Sequence, residues 1–175
     1  MRLARIALIA VFSLLCAPLW AQEASIATLD EKNGFRGARF GTAVTEFKDL
    51  KLIEDGYWKF FRRTNEVLYL GGGELTEVGY GFYKDELGAV IVKAAGSLNC
   101  ESVLHALTAS YGKATQPDKG VKSYFWDGRK VTLSFDHDEQ SNTCYATFIS
   151  VQEHERATAD EQMAAEQNKR QLPNP

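Results

Sequence analysis

Lys122-Ser-Tyr-Phe-Trp126-Asp-Gly128-Arg-Lys-Val131-Thr-Leu133-Ser-Phe135 is the stretch that decides the fold class. Apolar and polar residues alternate on both sides of Asp127-Gly128, the period of a strand with one buried face. A two-residue Asp-Gly link between two such runs is a strong hairpin signal. In that register Trp126 faces Arg129, Tyr124 faces Val131 and Lys122 faces Leu133. Downstream, Cys144 to Val151 reads as a third strand, with Tyr145, Thr147, Ile149 and Val151 on one side.

Upstream of the hairpin the period changes. Val103, Leu104, Leu107 and Tyr111 recur at helical spacing. Asn99 is an N-cap candidate, and Gly112 stands where a left-handed residue ends a helix. The second half of the chain, 97–151, is therefore a helix followed by three strands.

The first half, 35–96, repeats the order. Thr42 is an N-cap candidate, with Val44, Phe47 and Leu50 three apart, which predicts a helix of about ten residues. Trp58 to Arg63 and Glu66 to Leu70 read as paired strands. Thr76, Val78, Tyr80 and Phe82 alternate with Glu77, Gly79, Gly81 and Tyr83. Lys84-Asp85-Glu86 turns the chain into β-branched Val90, Ile91 and Val92. Short turns between consecutive strands force antiparallel pairing. The reading is an α+β domain over 35–151, built from two successive αβββ-like units.

The flanks differ in character. Residues 22–34 are polar and read as a flexible lead-in. Residues 152–175 carry Met163 and Leu172 as their only large apolar side chains and read as a polar tail, helical or disordered. Residues 1–21 read as a cleaved signal peptide: Arg2 and Arg5, then an apolar run from Ile6 to Leu15, then Leu19-Trp20-Ala21 before the cut. The run is about half of the ~20 residues that span a bilayer. Cys16 follows Leu15, where a lipid-attachment box requires a small residue, so lipidation is disfavoured.

The whole chain of 175 residues has 20 Lys and Arg against 23 Asp and Glu, a net charge of −3. Removing the signal leaves 18 basic residues and a net charge of −5. Such a balance argues against nucleic-acid binding, which requires a basic excess. Three cysteines become two, Cys100 and Cys144. In an exported chain that pair reads as one disulfide, worth roughly 4 kcal/mol by loop-closure entropy. The expected location is periplasmic or secreted, with no integral span in the mature chain.

Phe35-Arg-Gly-Ala-Arg-Phe-Gly-Thr, Gly79-Tyr-Gly-Phe-Tyr-Lys and Tyr111-Gly-Lys-Ala-Thr resemble segments of a family of small exported bacterial α+β proteins of uncharacterised function. The helix-then-Gly-Lys rhythm is also similar to the repeat of β-lactamase-inhibitor-like and small outer-membrane-assembly lipoproteins. The resemblance covers about 35–151 and supplies no catalytic residue. It implies inhibition of an exported enzyme as one alternative role.

Chemistry-bearing clusters are sparse. His105, His137 and His154 lack metal-site spacing, and no metal or other cofactor is expected. Asp136-His-Asp-Glu139 lacks the glycine and distal glutamate of a calcium loop and reads as a solvated turn. Cys100 and Ser102 at a helix start have no base within helical reach, since His105 is five residues on from Cys100. A hydrolase or redox enzyme using Cys100 is the alternative from that class. Glu74 and Glu77 fit no acid–base geometry, and Gly71-Gly-Gly73 lacks the Lys-Ser/Thr of a phosphate loop.

Aromatics are the remaining signal. Tyr57, Trp58, Phe60 and Phe61, then Tyr80, Phe82 and Tyr83, then Tyr124, Phe125 and Trp126 lie in runs. Neighbours in a strand alternate faces, so some point outward. Tyr83, Phe125, Trp126 and Trp58 are the candidate binding face. The functional expectation is a non-enzymatic envelope protein that binds another envelope or extracellular protein.

Overall fold

A computed structural model describes residues 25–171. The signal-peptide reading, the cut after Ala21 and the Cys16 question lie outside the described residues. The chain runs α1 (Ile26–Lys32), β1 (Gly34–Phe35), β2 (Ala38–Arg39), a single 3-10 turn (Val44–Glu46), β3 (Leu50–Asp55), β4 (Lys59–Arg63), β5 (Tyr69–Leu70), β6 (Gly73–Glu74), β7 (Glu77–Tyr83), β8 (Glu86–Ala95), α2 (Ser97–Tyr111), β9 (Ser123–Asp127), β10 (Val131–Asp138), β11 (Thr143–Ser150) and α3 (Val151–Gln171). The fold is α+β. Seven strands form one antiparallel sheet in the order β3-β4-β7-β8-β11-β10-β9. The last strands of the two halves, β8 and β11, pair with each other, Ala89 opposite Ile149.

Strand alternation puts Val78, Tyr80 and Phe82 of β7, Val90, Val92 and Ala94 of β8, Leu133 and Phe135 of β10, and Ala146 and Phe148 of β11 on one face, all buried. α2 covers that face with Cys100, Val103, Leu107 and Tyr111. Cys100 is disulfide-bonded to Cys144, with Cα atoms 5.8 Å apart, which ties α2 to β11. Gly112 ends α2 with φ 82°. The helix starts earlier than expected, with Gly96 at the cap position. Asn99 instead binds the neighbouring backbone, donating to the Ala95 carbonyl at 2.9 Å and accepting the Glu74 N–H at 3.1 Å.

Several sequence expectations are corrected. The helix expected after Thr42 is one 3-10 turn. Its backbone pairs with β8 instead: Gly41 N–H donates to the Leu87 carbonyl, Leu87 N–H to Thr42 and Val44 N–H to Asp85, at 2.8–2.9 Å. Tertiary pairing outcompetes a short helix of modest propensity. The lead-in contains α1, anchored by fully buried Leu29. The residues after Val151 form α3. Its first turns dock through buried Glu153 and Ala157, and 161–170 is exposed throughout.

The register of the β9–β10 hairpin also differs. Trp126 lies opposite Leu133 and Tyr124 opposite Phe135. Pairing Trp126 with Arg129 would set a charge on the buried face, where desolvation opposes it. The observed loop, Gly128 to Lys130, leaves the ladder and is held from outside. The Asp30 carboxylate of α1 accepts the backbone N–H groups of Arg129, Lys130 and Val131 at 2.9, 2.8 and 3.1 Å.

Candidate functional site

The second face of the sheet is built from small and mixed residues. Across the strands one row reads Gly79, Ile91, Thr147, Ser134 and Phe125, and another reads Phe60, Gly81, Ala89, Ile149 and Thr132. A Cβ on Gly81 would lie 2.8 Å from the Phe60 ring, and one on Gly88 would lie 2.7 Å from Trp58. The glycines let two aromatic rings lie flat on the sheet, as close backbone approach requires.

α3 roofs one end of this face. Tyr83 is 2% exposed beneath it. Its ring packs on Tyr57 and Trp58 at 5.2 and 5.4 Å. Its hydroxyl hydrogen-bonds Asp160, and the Tyr57 hydroxyl donates to the Ala157 carbonyl at 2.7 Å. Lys84 pairs with Asp160 at 2.6 Å, while Arg156 joins Glu153 at 2.7 Å and also Glu86. Burial, with Asp160 and Tyr57 beside it, holds the Tyr83 hydroxyl well above the ordinary tyrosine range. The hydrogen bonds from Lys84 and Tyr83 hold the Asp160 carboxyl below its usual range. These shifts reinforce one another in a docking contact, because each favours the protonation state its partner requires.

The other end of the face is uncovered. A shallow cleft of about 210 Å3 lies there, floored by Ile53, Phe60, Gly79, Ile91 and Tyr145. Ile53 is 42% exposed and Tyr145 39%. Charged groups form the rim. Lys93 Nζ stands 5.3 Å from the Tyr145 ring centroid, and Arg62 pairs with Glu77 at 2.9 Å. The cleft therefore joins an apolar floor that holds one tyrosine to a charged rim.

The four aromatic candidates do not form one exposed surface. Trp126 is fully buried on the α2 face, where its indole N–H donates to the Gly112 carbonyl at 2.8 Å. Tyr83 is buried beneath α3. Trp58 is half-buried against Tyr83. Phe125 is half-buried on the second face, separated from Ile91 of the cleft floor by Thr147 and Ser134. Trp126 and Tyr83 are thus corrected as exposed binding residues, because α2 and α3 each cover one. Tyr145, Ile53 and Ile91 are cleft residues that the aromatic runs do not single out. For Tyr145 the signal lies in β11, where Cys144 fixes the buried face and so turns Tyr145 to the opposite one.

The chemistry-bearing clusters are occupied by structural contacts. Cys100 is buried and bonded, which leaves no free thiolate there. Asp138 caps its own turn, accepting from Gln140 N–H at 2.9 Å and the Ser141 hydroxyl at 2.7 Å. Glu139 pairs with Lys122 at 2.7 Å. Gly71-Gly-Gly73 makes the β5–β6 connection beside α2. Among the described residues no three His, Cys, Asp or Glu side chains gather as a metal set, and no helix is long and apolar enough to cross a membrane. Comparison with protein-family models, curated proteins and solved structures finds no match to this chain.

Proposed function

We propose that this chain is an exported, non-enzymatic binding protein of the cell envelope, periplasmic or secreted, and that it takes a protein partner on the uncovered half of its sheet. The reading draws on the leader-like residues 1–21 and on the Cys100–Cys144 pair. The observation that carries it is the cleft floored by Ile53, Phe60, Ile91 and Tyr145. Burying these side chains under a partner contributes about 25 cal/mol per Å2 of apolar surface. The charged rim of Lys93, Glu77 and Arg62 would orient the partner.

The test is capture from the native envelope fraction with tagged wild-type protein and with Tyr145→Ala/Ile53→Asp. The partner bound by wild type is lost from the variant, and the variant keeps its melting temperature within a few degrees. A partner retained equally by the variant sinks the site. A partner that is an enzyme, inhibited on binding, would identify the role as inhibition.

A further inference from the structure

The Phe35-Arg-Gly-Ala-Arg39 motif has a use apart from the open sheet face. It forms the β1–β2 hairpin, whose two turn residues are both left-handed, Arg36 at φ 48° and Gly37 at φ 82°. Gly37 adopts this freely, whereas Arg36 does so against its preference. Its guanidinium compensates: it hydrogen-bonds the carbonyls of Val67 and Tyr69 and pairs with Glu66 at 3.2 Å. The turn is thereby clamped to the loop before β5.

Three more cations surround this clamped turn. Arg36 and Arg39 line two adjoining clefts, of about 490 and 400 Å3. Lys32 lines the first and Arg63 the second. Lys32 Nζ stands 4.8 Å from the Tyr111 ring centroid. The Arg63 guanidinium stands 5.8 Å from Phe47 and 5.7 Å from Tyr80. Lys32, Arg39 and Arg63 form no ion pair with another described residue. An aromatic face orients a cation without cancelling its net charge. Of the nearby carboxylates, Glu66 is engaged by Arg36 and by the Tyr80 hydroxyl at 2.5 Å, and Glu46 lines the second cleft. A chain with net charge −3 thus sets four cations against two carboxylates, Glu66 and Glu46, around one hairpin.

We propose that the Lys32–Arg36–Arg39–Arg63 cluster is a binding site for a phosphoryl group. Several cations around one hairpin call for an anion of more than one charge or with several acceptor oxygens. Guanidinium groups match a phosphoryl group with paired hydrogen bonds, and a flexible ammonium adds a point charge. The same chemistry is offered by a free phosphate and by a phospholipid headgroup.

The test uses the full folded chain and two probes in low salt. Pyrophosphate is titrated calorimetrically, and vesicles of phosphatidylglycerol are sedimented beside vesicles of phosphatidylcholine. Wild type binds pyrophosphate, phosphatidylglycerol vesicles or both, and which of them binds identifies the source. Lys32→Ala/Arg39→Ala weakens that binding by about tenfold or more, the effect of losing charge-assisted hydrogen bonds. Both residues are exposed, so the variant should melt with wild type, and a separate pair, Lys113→Ala/Lys119→Ala, should bind as wild type. No binding of either probe by wild type overturns the site. So does undiminished binding by Lys32→Ala/Arg39→Ala, or an equal loss in the Lys113/Lys119 pair. If Lys32→Ala/Arg39→Ala fails to fold, Arg39→Gln alone is used, with the same expected loss and the same overturning result.

Discussion

The Asp30 carboxylate accepts the Lys130 backbone N–H at 2.8 Å across a separation of 100 residues. Together with the bonds from Arg129 and Val131, this contact joins α1 to the β9–β10 loop. Burial alone would raise the Asp30 pKa, but the three backbone donors outweigh it and hold the carboxyl below its usual range. The stabilisation is therefore present above the ordinary aspartate pKa of about 3.9 and is lost as pH falls through the depressed folded value. Asp30→Ala is expected to cost about 1–2 kcal/mol at pH 7. Urea midpoints of wild type and variant should differ at pH 7 and draw together as pH falls below the ordinary aspartate range. A constant gap across that range would show that charge plays no part.

The Cys100–Cys144 bond is buried at both ends, so an attacking thiolate has no direct access. Reduction should require denaturant, after which the intact mass rises by two units. Removing the bond through Cys100→Ala/Cys144→Ala should cost about 2–5 kcal/mol in chemical denaturation. Ready reduction of the native protein would contradict the burial.

His137 Nε2 is buried and has no hydrogen-bond partner among the described groups. Replacing an unsatisfied buried polar atom removes a desolvation penalty. His137→Leu is therefore expected to be neutral or stabilising by up to about 1 kcal/mol. A clear drop in the denaturation midpoint would mean that the imidazole makes a stabilising contact.

The two halves of α3 should respond differently to change. Residues 162–170 of the helix are exposed, and truncation after Glu161 should leave the melting temperature within about 1 °C. Ala157→Glu places a charge at a buried position beneath which Tyr57 and Tyr83 pack. Its cost should be about 2–4 kcal/mol, with increased tyrosine exposure on release of α3.

Much of the central sheet was readable because its periods are unmixed. Val78-Gly-Tyr80-Gly-Phe82 alternates cleanly, and its large residues are all buried, Tyr80 and Phe82 against Phe47. Gly112 marked the end of α2 correctly. The failures have physical causes. Val44, Phe47 and Leu50 are three apart, which suits a helix, yet Gly41, Thr42 and Val44 bond to the start of β8 and the turn before it, and Leu50 pairs with Arg63 of β4. α1 depends on one buried leucine, too little to form a periodic stripe. α3 carried a usable signal in Ser150-Val-Gln-Glu153, a capping-box pattern in which the Glu153 N–H meets Ser150 Oγ at 3.3 Å. The candidate site was less readable. Trp126 and Tyr83 are aromatic and strand-borne, but their exposure depends on where α2 and α3 come to rest, which no local pattern encodes. Tyr145 could be oriented only once Cys144 had fixed which side of β11 is buried.

The central position of β11 also orders the birth of the domain. Its neighbours β8 and β10 are made earlier, and neither has another strand to take its place. A chain interrupted before Thr143 leaves two open sheet margins, each a template for mispairing. Pairing of Ala89 with Ile149 spans 60 residues, so closure is a late, non-local event. The nascent molecule therefore remains an unfinished pair of meanders until β11, the last strand along the described chain, has been supplied.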